Sequence, residues 1–142
     1  MKLTTRSRYG TLIVLDVAQY GSDGPVRIQD IARRKNISLK YTEKITGELK
    51  RAGLLNSRRG PKGGHILTRA PADVTVGDVV RVLDWEEPAE GCPDGQGSCT
   101  RAEGCATRGL WRRAMSALMD HLDGVTIQDL LTDRARCSVE TG

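Results

Sequence analysis

Tyr9, Leu12, Ile13, Asp16, Val17 and Tyr20 fall at helical spacing, all apolar but Asp16, and predict a helix over residues 5–20. Gly21 and the SDGP behind it stop that helix. A shorter helix is predicted over 28–35, with Ile28, Ile31 and Ala32 facing in and Arg33, Arg34 and Lys35 facing out. The tight turn NIS follows. Ser38 is a good N-cap for a third helix over 39–52, whose buried stripe is Tyr41, Ile45, Leu49 and Ala52, and Gly53 closes it. LLNSRRGPKGGHIL then reads as two short strands around the tip Arg59 to Gly64. Beyond the APADVT linker, Thr75 caps a short helix burying Val76, Val79, Val80 and Leu83. The clearest amphipathic stretch is 108–122, with Leu110, Trp111, Ala114, Met115, Leu118, Met119 and Leu122 on one side. Gly124 ends it, Thr126 starts a short helix with Ile127, Leu130 and Leu131, and the tail from Asp133 is expected to fray.

Two short helices around a three-residue turn, the second basic outside and followed by a basic hairpin, make a winged helix-turn-helix. Ala32, Ile37 and Ile45 suit it: a small residue at the helix crossing, an apolar turn residue and a branched residue beneath. The expected fold is mainly α, a winged helix-turn-helix with a two-stranded β wing and a long C-terminal dimerisation helix. The expected division is 1–72 for the winged unit, 73–84 for a connecting helix, 85–106 for a cysteine-rich loop and 107–142 for the dimerisation helix and tail. With no Phe in 142 residues, two small apolar cores or burial across a dimer interface are expected rather than one large core.

Charge sharpens this picture. The net +4 averages a basic half and an acidic half: residues 1–70 hold 15 Lys or Arg against 5 Asp or Glu, and residues 71–142 hold 7 against 13. Only the first half is suited to a polyanion. A helix fits the major groove of duplex DNA, and the outward face of the third helix offers Ser38, Lys40, Glu43, Lys44 and Gly47. Glu43 either accepts from the N4 amine of a cytosine or pairs with Lys40 or Lys44 on its own helix. Lys40, Lys44 and Lys50 are candidates for phosphate contacts, which orient without specifying. Arg58, Arg59 and Lys62 at the wing suit a narrow minor groove; Arg27 and Tyr41 complete the candidate set. The 108–122 helix is too apolar to end a small domain alone. It is expected to pair with a second copy, setting two reading helices about one duplex turn apart on a near-palindromic site. With two His and no plausible Ser/His/Asp arrangement, an enzyme is not expected. No apolar run nears the roughly 18 residues of a membrane span, and MKLTTRSRYG lacks a secretory apolar core. The chain is therefore expected in the cytoplasm, where thiols stay reduced.

Three of the four cysteines, Cys92, Cys99 and Cys105, lie in GCPDGQGSCTRAEGCATRGLW with C-x6-C-x5-C spacing. Soft thiolates in a polar, Gly-rich loop suit zinc or iron–sulfur ligation, and Arg101 and Arg108 would favour the deprotonated thiols. The spacing lacks the close pair of a zinc ribbon.

MKLTTRSRYG, GPVRIQDIARRKNISLKYTEKI, LKRAGLLNSRRGPKGGHIL and the cysteine trio ahead of ATRGLW together resemble the iron–sulfur cluster regulators of the IscR/NsrR family, from Met1 to about Asp133. The resemblance implies a dimeric winged-helix transcription factor with a cysteine-ligated cluster, 2Fe–2S or 4Fe–4S, near the pairing of its C-terminal helices. It implies that Glu43 reads a base and that Arg59 enters the minor groove. The chain departs from the pattern at three places. Arg108 stands where the IscR branch has a His, and Arg8 where the NsrR branch has a carboxylate. The first gap in the trio is also longer than in IscR. The fourth ligand stays open among Asp94, Glu103, a small molecule and Arg108; Cys137, in the tail, reads as a bystander. The expected function is a DNA-binding repressor controlled by a cluster that senses redox state, nitric oxide or iron and sulfur supply. The alternatives are an iron–sulfur carrier with bulk affinity for nucleic acid, and a cluster-free repressor responding to a metabolite or protein.

Overall fold

Thr4 begins the fold: its hydroxyl accepts from the Arg6 N–H at 3.1 Å and caps helix α1 (Thr5–Tyr20). The computed structural model describes residues 3–84 and 106–140. After α1 come α2 (Ile28–Lys35), α3 (Leu39–Arg51), strands β1 (Leu55–Arg58) and β2 (Gly64–Leu67), then α4 (Val76–Leu83), α5 (Ala106–Asp123) and α6 (Ile127–Glu140). The protein is a mainly helical winged helix-turn-helix.

Asn36, at φ 53°, ends α2 in the left-handed conformation and turns the chain into α3, where Ser38 caps as expected. β1 and β2 pair antiparallel, Leu55 opposite Leu67 and Arg58 opposite Gly64. Val26, ahead of α2, adds a bridge that the sequence did not announce. Its N–H donates to His65 O at 2.9 Å and its C=O accepts from His65 N–H at 2.7 Å, so the wing is laced to the helix-turn-helix. Gly64 makes this possible, since a Cβ there would lie 2.5 Å from the Val26 carbonyl oxygen.

The buried faces differ in detail from the expected stripes. α1 packs against α2, α3, α4, α6 and β2, so its buried arc is Gly10, Ile13, Val14, Asp16 and Val17, while Leu12 and Tyr20 are exposed. A methyl at Gly10 would sit 2.1 Å from Leu83 Cδ1, so α1 and α4 cross closely only because position 10 has no side chain. On α3 the buried stripe is Thr42, Ile45, Thr46 and Leu49; Ala52 is exposed, because the helix ends at Arg51 and the chain turns at Gly53.

The expectation of two small cores is overturned. Ile13, Ile31, Ile45 and Leu49 of the winged unit share one cluster with Val79 and Leu83 of α4 and Ile127 of α6. Branched aliphatics on closely crossing helices fill the space that Phe would otherwise take.

α4 and α6 start from a common knot. Thr75 and Asp78 form a reciprocal capping box, and Thr126 and Asp129 form another. Between them, Val76 N–H donates to Val125 O at 2.9 Å and Ile127 N–H to Val74 O at 2.8 Å. Arg81 then holds Asp123 at the end of α5 through two hydrogen bonds of 2.7 and 2.6 Å. The tail does not fray at Asp133: α6 runs on to Glu140, through a stretch with neither Gly nor Pro to stop it.

Candidate nucleic-acid interface

Helix α3 turns its threonines and aliphatics inward, so its other side is left to solvent. Lys40, Glu43, Lys44 and Lys50 are all exposed there. Ser38 Oγ accepts from Tyr41 N–H at 3.2 Å, so capping already engages that oxygen. Tyr41 is half-buried, with its ring edge-on to Tyr9 at 5.7 Å between centroids. Gly47 leaves open space above the helix surface. Among the described residues Glu43 forms no ion pair, so neither Lys40, one turn before it, nor the adjacent Lys44 neutralises it.

The wing presents Arg58, Arg59 and Lys62, all exposed. Arg27 is exposed as well, and its Nη2 donates to Pro61 O at 2.5 Å, tying the wing tip to the start of α2. At the wing's base, burial and the nearby Lys50 both push His65 below its ordinary pKa, so the imidazole is neutral near pH 7. The positive charge of this surface is therefore carried by Lys and Arg.

The run Arg33-Arg34-Lys35 does not face solvent as a unit. Arg34 donates from Nε and Nη2 to the two carboxylate oxygens of Asp16 at 3.0 and 2.6 Å, and Lys35 Nζ lies 3.6 Å from the same carboxylate. Asp16 is wholly buried. The guanidinium also stacks 4.0 Å from the centre of the Tyr20 ring, and hydrogen bonding to Asp16 raises its pKa further. The sequence held a signal for this: a carboxylate inside an apolar stripe needs a cationic partner.

Two further contacts position α3 and the end of α4. Arg6 on α1 pairs with Glu48 on α3. Asp84, which caps α4, accepts from Thr4 N–H at 2.8 Å, Thr4 Oγ1 at 2.5 Å and the Ser7 hydroxyl. Burial alone would push the Asp84 carboxyl up, but these donors outweigh it and hold the pKa below the usual carboxylate range.

Cys92, Cys99, Cys105, Asp94 and Glu103 lie outside the described residues. Among the described residues no group of three or more His, Cys, Asp or Glu is gathered as a metal site, and no helix is long and apolar enough to cross a membrane. The α5 set divides. Leu110, Trp111 and Ala114 are exposed, with Trp111 at 58%. Met115, Leu118 and Leu122 are half-buried, and Met119 is buried within its own chain, on a helix that lies against α4.

The Rrf2 family model, described as an iron-dependent transcriptional regulator, matches residues 3–133. Protein rrf2 of Nitratidesulfovibrio vulgaris is 44% identical over 137 residues, covering 96% of this chain and 91% of that protein. The HTH-type transcriptional regulator IscR of Aliivibrio salmonicida is 39% identical over 133 residues, covering 94% of this chain and 79% of that one. Among solved structures, CymR, the global cysteine regulator of B. subtilis, superposes with a TM-score of 0.78 at 33% identity, over 93% of this chain and 97% of that one.

Proposed function

The chain belongs to the Rrf2 family of transcriptional regulators, and from that premise we propose that it is a cytoplasmic, dimeric repressor that reads duplex DNA with α3 and the wing. The observation that carries this reading is the unpaired Glu43 among exposed Lys40, Lys44 and Lys50, beside a wing bearing Arg58, Arg59 and Lys62. A carboxylate facing a phosphate-lined groove is costly without a partner, and the N4 amine of cytosine is one, worth about 1–3 kcal/mol of discrimination. The lysines anchor to phosphates, and Arg59 enters the minor groove. Exposed Leu110 and Trp111 supply the apolar surface through which α5 meets its mate.

Three thiolates fit a soft metal by their chemistry, and the family's description as iron-dependent supports an iron–sulfur cluster on Cys92, Cys99 and Cys105. When bound, such a cluster supplies iron and sulfide that oxygen, nitric oxide or iron shortage can alter. Cys92, Cys99 and Cys105 would hold it, and its loss would shift DNA affinity by no more than the difference it makes between two dimer geometries, typically about 1–3 kcal/mol.

A second reading is a regulator that answers to a thiol or metabolite without a cluster; the likeness to a global cysteine regulator favours it. One experiment separates them. Protein prepared without oxygen is assayed for iron and sulfide, and its affinity for a selected duplex and a scrambled duplex is compared before and after chelation. Stoichiometric iron and a changed preference support the cluster reading. Iron-free protein that still prefers the selected duplex supports the second.

A further inference from the structure

Leu39 opens α3 and is 42% exposed. It stands apart from the apolar cluster that takes Ile37 and Ile45, and from the half-buried residues, Tyr41 among them, that pack on it. Its neighbours are charged. Glu43 lies one turn on, at the i+4 position on the same face, and exposed Lys40 and Lys44 adjoin the pair. A leucine held among charges in water gains nothing there. It gains when it meets an apolar group inside an otherwise polar groove. The major groove carries one such group, the C5 methyl of thymine, and the first residues of a recognition helix are those that reach base edges.

We propose that Leu39 is a specificity-determining residue that reads a thymine methyl within about two base pairs of the base read by Glu43. The inference rests on the DNA-reading role of α3 argued above and deepens it. Four residues of helix span about 6 Å along the axis, close to two base-pair steps of about 3.4 Å. The thymine therefore falls within about two base pairs of the cytosine that Glu43 accepts from. Together the two side chains read a short pyrimidine-containing step in each half-site, the leucine by shape and the carboxylate by hydrogen bonding.

The test uses the full chain and a duplex selected by it from a random pool. Each thymine of a half-site is replaced in turn by deoxyuridine, which removes the methyl and leaves the pairing edge intact. Wild-type protein is expected to lose about fourfold in affinity at one thymine per half-site, the equivalent of one buried methyl group. Leu39→Ala is expected to bind the dT and dU duplexes equally. Leu39→Met, still apolar and long, is expected to restore the difference, and Glu43→Ala to keep it. Thermal melting of Leu39→Ala should match wild type, since the side chain is outside the core. A flat deoxyuridine scan on a duplex that the protein binds in preference to scrambled DNA overturns the role of Leu39 and leaves the DNA-reading proposal standing. So does a Leu39→Ala protein that retains the dT preference. Equal affinity for selected and scrambled duplexes overturns both.

Discussion

Two basic stretches lie within a few residues of each other, and the fold treats them oppositely. Arg33-Arg34-Lys35 on α2 is the denser run, yet Arg34 and Lys35 converge on buried Asp16 and fasten α2 to α1. Lys40, Lys44 and Lys50 on α3, with Arg58, Arg59 and Lys62 on the wing, are more scattered, yet among the described residues none has a carboxylate within ion-pair distance. Density of charge along the chain therefore misidentifies the surface left for a polyanion. What separates the two sets is whether the fold supplies each cation with a carboxylate.

The largest effect should come from breaking the first set. Arg34→Ala strands a buried carboxylate with only Lys35 beside it, and is expected to cost about 3 kcal/mol of stability, or about 10 °C in melting temperature. Circular dichroism on heating reads this directly, and the DNA affinity of the protein that remains folded should change little. Next comes Glu43→Ala, expected to cost about 2 kcal/mol of discrimination at one base position. Competition among duplexes varied at that position should show the preference relaxed and stability unchanged. Lys44→Ala belongs to the same surface but should act without regard to sequence. It is expected to weaken all duplexes alike and to reduce the slope of log affinity against log salt by about 1.

The smallest effect concerns Asp84, whose partners are neutral donors rather than cations. Its folded pKa is depressed, so its contribution to stability is fully present above the unfolded value and is lost as pH falls through the folded one. Acid titration of the melting temperature should therefore be shallower in Asp84→Asn than in wild type below about pH 4.

Much of this was legible in the sequence, because helices and hairpins are written in spacing and punctuation. The turn at Asn36, the caps at Ser38 and Thr75 and the hairpin tip all appeared where local chemistry put them. Contacts between distant segments were not legible. Nothing near Val26 announces its bridge to His65. Periodicity also misplaced the α1 face by a residue or two, since one helix surrounded by five neighbours buries more than one stripe. In the candidate site, the exposed members of α3 and the wing were foreseen. The hydrogen bond of Arg27 to the Pro61 carbonyl was not legible, because that partner lies far along the chain.

The clasp on Asp84 and the grip of Arg81 on Asp123 have a consequence for how this chain can vary. Asp84 at the end of α4 is held to the start of α1, and Asp123 at the end of α5 is held to α4. Each of these two helix ends therefore tolerates substitution only where the replacement still accepts hydrogen bonds.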